Sequence, residues 1–350
     1  MVLMRHEIKP DFKHPIDPLP SSHESQSSRD PSPPPYTPSA SSSGSRYAPS
    51  LASVPPPSHH QRTETEGPIP LSTSPRTELP SISSKKPLSL VGPLTVRGSI
   101  ECSSTVTLSD DVEVTSSVQS GGPLKLINGI NILGGVEGRA DVDLSDSVTI
   151  GGGVEARANV RIKGGAKGVR IGGGLDARAV VDIDSGSGSV VVGGEIDGRS
   201  NVNLRGRIDV LGDVSARGGV VLDGSVFVKG CVDSRGGIEI KSRGEYRLQV
   251  QGKVDAHGSI SLDGLIDVDR FVSAKGNVKI DGEVRIRESV EARGNADVYG
   301  NVETGDFSTR GNLTVRGKLH VRGDLEVRGQ VNVIGSGDLI VDGRYKTKGR

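Results

Sequence analysis

The chain has 350 residues, 33% of them apolar and 3% aromatic, and its 43 Lys plus Arg balance 43 Asp plus Glu. That is too little apolar material for the two or three globular domains the length could hold. A zero formal charge supplies no general attraction to nucleic acid or an anionic membrane surface, and neither partner is expected.

Residues 1–87 are rich in Ser and Pro, lack apolar periodicity, and are expected to form a disordered tail. The opening MVLMRHEIKPDF carries Arg5, Glu7 and Lys9, and no later stretch approaches the roughly eighteen apolar residues of a membrane span. Neither a signal peptide nor a transmembrane segment is expected, and a cytoplasmic location is the simpler reading. Pro33, Pro34 and Tyr36 read as P-P-x-Y, which resembles the polyproline ligand of WW domains. Such motifs recruit WW-bearing ubiquitin ligases of the HECT class, although a Pro-rich tail also produces such strings by chance. Ser32, Thr37 and Ser74 each precede Pro and resemble proline-directed phosphorylation sites.

From Leu88 onward the chain is written in six-residue words, as in VSAKGN, VKIDGE and VRIRES from Val272 to Ser289. Positions 1 and 3 are apolar, positions 2 and 4 polar, and positions 5 and 6 Gly, polar or small. Each word is therefore a short strand with two side chains on one face, followed by a corner. Three words close one rung, and the 42 words from Leu88 to Arg350 predict an all-β, triangular, single-stranded β-solenoid of 14 rungs. Extra residues follow the words at Val160, Val181, Ile238 and Val331, all at the corner between the second and third faces. One deletion near Asp306 falls between the third face and the first. Cys102 and Cys231 then lie about seven rungs, or roughly 30 Å, apart, too far to bridge.

The faces differ in what they carry. Position 3 is small on the first face (Ala156, Ala177, Gly198, Ala216), large on the second (Leu144, Ile162, Leu204, Leu222) and mostly β-branched on the third (Ile150, Val192, Val210, Val228). Small opposite large fills a narrow core, with no implied ligand cavity. Outward on the first face, position 4 gives a basic column of Arg139, Arg157, Arg178, Arg199, Arg217, Arg235, Arg293, Arg310 and Arg328. Position 2 gives an acidic column that includes Glu137, Glu155, Asp176 and Asp197. The two columns read either as a self-neutralised ladder holding register or as a linear face for an anionic polymer or a partner sheet.

No catalytic or metal-binding constellation is visible. Pectinase-type solenoid enzymes need long loops to wall a cleft, and here the inserts are short. Hexapeptide acyltransferases need a catalytic His beside a long loop, whereas His257 and His320 point outward without one. Five of the seven His lie in the tail, so no cofactor is expected and the chain reads as non-enzymatic. Asn312, Leu313 and Thr314 spell a glycosylation sequon, idle without secretion.

The stretch GNVKIDGEVRIRESVEARGNADVYGNV, with its V-x-I-x-G words, is similar to the bactofilins, polymer-forming β-helical cytoskeletal proteins. That resemblance implies a right-handed β-helix, self-association into filaments without a nucleotide, and disordered tails that recruit partners. From Ser308 onward nine Lys or Arg face four Asp or Glu, and the inward Phe307 and Tyr345 are expected to thicken the core where rods would meet. The first expectation is a self-associating scaffold. The alternative is an adaptor joining a WW-domain ligase to cargo held on the charged face, and a lesser one is a hexapeptide-type acyltransferase or carbohydrate-active β-helix.

Overall fold

The computed structural model describes residues 76–348, which form a parallel β-solenoid of about 15 turns without a helix. Each strand pairs in parallel with its counterpart one turn on, so that Val136 lies beside Val154, Val142 beside Val160 and Ile130 beside Val148. Alternation sets which side chains enter the core. In Val154–Ala156 and Val278–Ile280 the first and third residues are buried and the second is exposed.

The coil begins at Thr77 rather than Leu88, because Thr77–Ser84 pairs in parallel with Leu94–Cys102. This segment, TELPSISS, hides in the Ser/Pro-rich composition, and Pro80 breaks the six-residue rhythm. Its register shifts between Pro80 and Ile82. An edge strand accepts such a residue because one of its sides needs no ladder hydrogen bond.

The extra residues fall between Lys163 and Val169, Asp184 and Val190, Lys241 and Leu248, and Val333 and Asp338. All four lie at the corner between the second and third faces, the edge of the triangle opposite the first face. The deletion appears as a register shift between Ile286 and Ser289. Where that insert-bearing corner is tight, Gly206, Gly224, Gly264 and Gly282 take φ of 95°, 114°, 102° and 100°, a region closed to most side chains. In earlier turns Asp110, Asp111, Asn128 and Asp146 hold positive φ instead, as short polar side chains can.

The two corners bounding the first face are straight and hydrogen-bonded. Between the first and second faces, Asn201 Oδ1 accepts from the Gly219 N–H at 2.8 Å, Asn277 from Asn295 at 2.8 Å, and Asn312 from Gln330 at 2.9 Å. Asn312, the sequon residue, is thus a rung of this ladder. Between the third and first faces, Asp213 accepts from the Cys231 N–H at 2.7 Å and Asp306 from Asp324 at 2.8 Å. Each bond satisfies a backbone donor that would be left over at a bend.

The small third position on the first face has a steric cause. A Cβ on Gly138 would stand 2.6 Å from Val142 Cγ2, and one on Gly198 would stand 2.7 Å from Val202 Cγ2. The β-branched residue opening the second face occupies that space in these turns, so Gly fits there, and elsewhere the position is mostly small, although Thr309 and Val327 are also buried at it. Ala156, Ala177 and Ala274 are buried at equivalent places, opposite the buried Leu144, Ile162 and Leu204. Cys102 is buried and Cys231 half-buried, and both thiols are free.

Candidate functional site

The most ordered chemical feature is the outer side of the first face. Strand pairing stacks Glu137 on Glu155, Glu155 on Asp176 and Asp176 on Asp197, continuing through Ser215, Asp233, Asp255, Ser273, Glu291, Ser308 and Glu326. The basic residues stack just past the strands. The Arg157 N–H donates to Gly138 O at 2.9 Å, Arg178 to Ala156 at 3.0 Å, Arg199 to Ala177 at 2.9 Å and Arg217 to Gly198 at 3.1 Å. The same bond repeats at Arg139, Arg235, His257, Lys275, Arg293, Arg310, Arg328 and Lys348. Every member of this basic column is exposed.

The two columns do not neutralise each other by contact. Among the described residues Arg328 alone of the basic column reaches the acidic one, meeting Glu326 at 3.7 Å. Two outward side chains two residues apart are roughly 6.6 Å apart at the backbone, and these Arg lean past the strand end. Asp197 instead accepts from the Ser215 hydroxyl at 3.1 Å. Asp233 and Asp255 are held from the other side by Lys253, at 2.8 Å and 3.5 Å, and their carboxylates hold its ammonium above the ordinary lysine range. Within the basic column, Lys275 Nζ lies 2.9 Å from His257 Nε2. An ammonium can only donate there, so in this contact the His257 nitrogen is the acceptor.

The surface between the columns is hollow. Because position 3 points inward and is small, the outer side above it is bare backbone. A shallow depression of about 480 Å³ runs between Asp197, Asp233 and Asp255 on one wall and Arg217, Arg235 and His257 on the other. On the far side of the acidic column from the basic one, a second depression of about 400 Å³ lies beside Glu137, Glu155 and Asp176 over Gly135, Gly153 and Gly174.

A ridge of inserts stands on the opposite edge. Arg247 clamps one of them, donating to Asp267 at 2.7 Å and to Glu283 at 2.8 Å, and it holds the Glu283 carboxyl below the usual range. Arg243 from the same insert reaches back to Asp223, whose Oδ1 is buried without a hydrogen-bond partner among the described residues. Sequence reading missed these clamps, since their spacing follows the inserts rather than the repeat. A clamp at the corner between the first and second faces was equally unforeseen. Burial pushes the Asp141 carboxyl up, but hydrogen bonds from the Asn159 N–H, Arg161 and the Asn159 amide outweigh it and bring it below the ordinary range.

Phe307, two turns below the last described one, is fully buried, as its inward position requires, whereas in the last described turn Tyr345 is 52% exposed and Val333 48%. Tyr345 occupies an inward position with no turn stacked over it among the described residues. The strands Val331–Val333, Asp338–Val341 and Tyr345–Thr347 each pair on one side.

The WW-ligand residues Pro33, Pro34 and Tyr36 and the candidate phosphorylation sites Ser32, Thr37 and Ser74 lie outside the described residues. Among those described, no group of three His, Cys, Asp or Glu is placed to hold a metal, and no helix is long and apolar enough to cross a membrane. Comparison with protein-family models, curated proteins and solved structures gives no match.

Proposed function

We propose that this protein is a non-enzymatic structural scaffold, a bactofilin-like rod that associates end to end in the cytoplasm. The observation that carries this reading is the unbroken stack of parallel turns from Thr77 to Thr347, in which the backbone donors and acceptors of one turn are met by the next. The same pairing can join one chain to another wherever a turn lacks a neighbour, as Val331–Val333, Asp338–Val341 and Tyr345–Thr347 do on one side among the described residues. The Ser/Pro-rich segment supplies the recruiting arm, with Pro33, Pro34 and Tyr36 as its WW-domain ligand.

Negative-stain imaging of the full chain over a range of concentrations tests the assembly. Filaments that lengthen with concentration and vanish on Tyr345→Asp are expected. A monomer at every concentration overturns the reading. For the arm, capture by WW domains should be lost on Tyr36→Ala.

A further inference from the structure

We infer that the first face is a lateral pairing surface for a second copy of this chain, with the two rods side by side and pointing the same way. A single rod is electrostatically frustrated on this face. Arg157, Arg178 and Arg199 stack at about 4.8 Å, as do Glu155, Asp176 and Asp197, and like charges so close repel. The neighbouring column lies within the same face yet makes no contact ion pair in these turns among the described residues. In these turns both columns are exposed, and both are relieved by an opposite charge arriving from outside.

A second copy brings that charge in one orientation only. A twofold axis parallel to the rod, running above the bare backbone between the columns, lays the acidic column of each copy over the basic column of the other at the same height. An axis across the rod lays acid on acid and base on base. The pattern therefore selects the parallel pair and rejects the antiparallel one.

Shape agrees with charge. The first face lies between the two straight, ladder-bonded corners and opposite the edge that carries the inserts, so nothing projects beside it. The columns are about 50 Å long and roughly 7 Å apart. With the reach of their side chains they cover on the order of 500 Å² per copy, near the lower limit for a specific interface. The pair is accordingly weak and salt-sensitive. It is independent of end-to-end association, which uses other residues.

Sedimentation of the full chain tests it. A dimer at low salt should dissociate near 1 M salt, where the Debye length is about 3 Å. The variant carrying R157E, R178E and R199E, and the variant carrying E155K, D176K and D197K, should each dimerise at least about tenfold more weakly. Mixing the two should restore the dimer, which also shows that both are folded. Spin labels on Gln119→Cys, in a Cys231→Ser background that leaves buried Cys102, report direction. Parallel pairing keeps the two labels within roughly 25 Å, while antiparallel pairing separates them by about the length of the columns, roughly 50 Å. Wild-type dimerisation by the reversal variants, antiparallel label distances, or a monomer at low salt overturns the inference. So does a monomer that binds polyphosphate through the Arg column. Tyr345→Asp should remove filaments and leave this dimer intact, which separates its failure from that of the end-to-end reading.

Discussion

Tyr345 stacks directly over Leu325 in the first-face ladder, yet Leu325 is wholly buried and Tyr345 is half exposed. One turn of coil separates a core position from an end position. Leu325→Ala should cost about 2–5 kcal/mol of stability, as truncation of a buried Leu does. Tyr345→Ala should cost much less in the unassembled chain. Urea denaturation at low protein concentration measures both, and equal losses would mean that the end is covered.

The first face should resist enlargement. Ala177→Leu inserts three carbons where the opening residue of the second face already packs, and overpacking of this kind costs about 1–3 kcal/mol. The reverse change on the second face, Leu204→Ala, leaves a void and should cost about 2–5 kcal/mol. Because each turn is held mainly by its neighbours, hydrogen exchange should show the damage concentrated in the adjacent turns.

The insert Ser242–Arg247 is held by charge. Arg247→Ala removes the hydrogen bonds to Asp267 and Glu283. Faster amide exchange is expected over residues 242–247, with little change at Leu248–Val250, whose inward residues stay in the core. Global stability should shift slightly, since exposed ion pairs are worth about 0–1 kcal/mol.

Asp141 gives a pH signature. Its carboxyl is held below its ordinary value by the Asn159 N–H, Arg161 and the Asn159 amide. Folding therefore favours the charged form. The stabilisation is complete above the unfolded value near 4 and is lost as pH falls through the lowered folded value. Asp141→Asn should remove this acid-limb contribution. Thermal melts from neutral pH down to about 3 should converge for the two proteins at the acid end, and a constant gap would contradict the assignment.

The period, the three faces and the placement of inserts were legible because each is a statement about spacing, and backbone geometry converts spacing directly into position. Val160 over Val142 and Glu155 over Glu137 follow from counting alone. The first turn was not legible, since Pro80 interrupts the alternation and Ser is as common in the strand as in the segment before it. Nor was the lack of contact between neighbouring charge columns. Counting places Cα atoms, whereas the direction of an Arg head depends on where the strand ends and the corner begins. Lys253, which takes up Asp233 and Asp255, sits in a corner position that holds residues as different as Gly174, Glu195, Asp213, Cys231 and Phe271 in other turns, so no column announced it.

The eighteen-residue period of the regular turns has a consequence for how such a molecule can vary. A whole turn leaves the coil at the point in cross-section where it entered, so adding or deleting one changes length by about 4.8 Å and disturbs neither the outline nor the chemistry of either terminus. Size in this architecture is quantised, and a gene that duplicates or loses one such unit yields a longer or shorter copy of the same instrument.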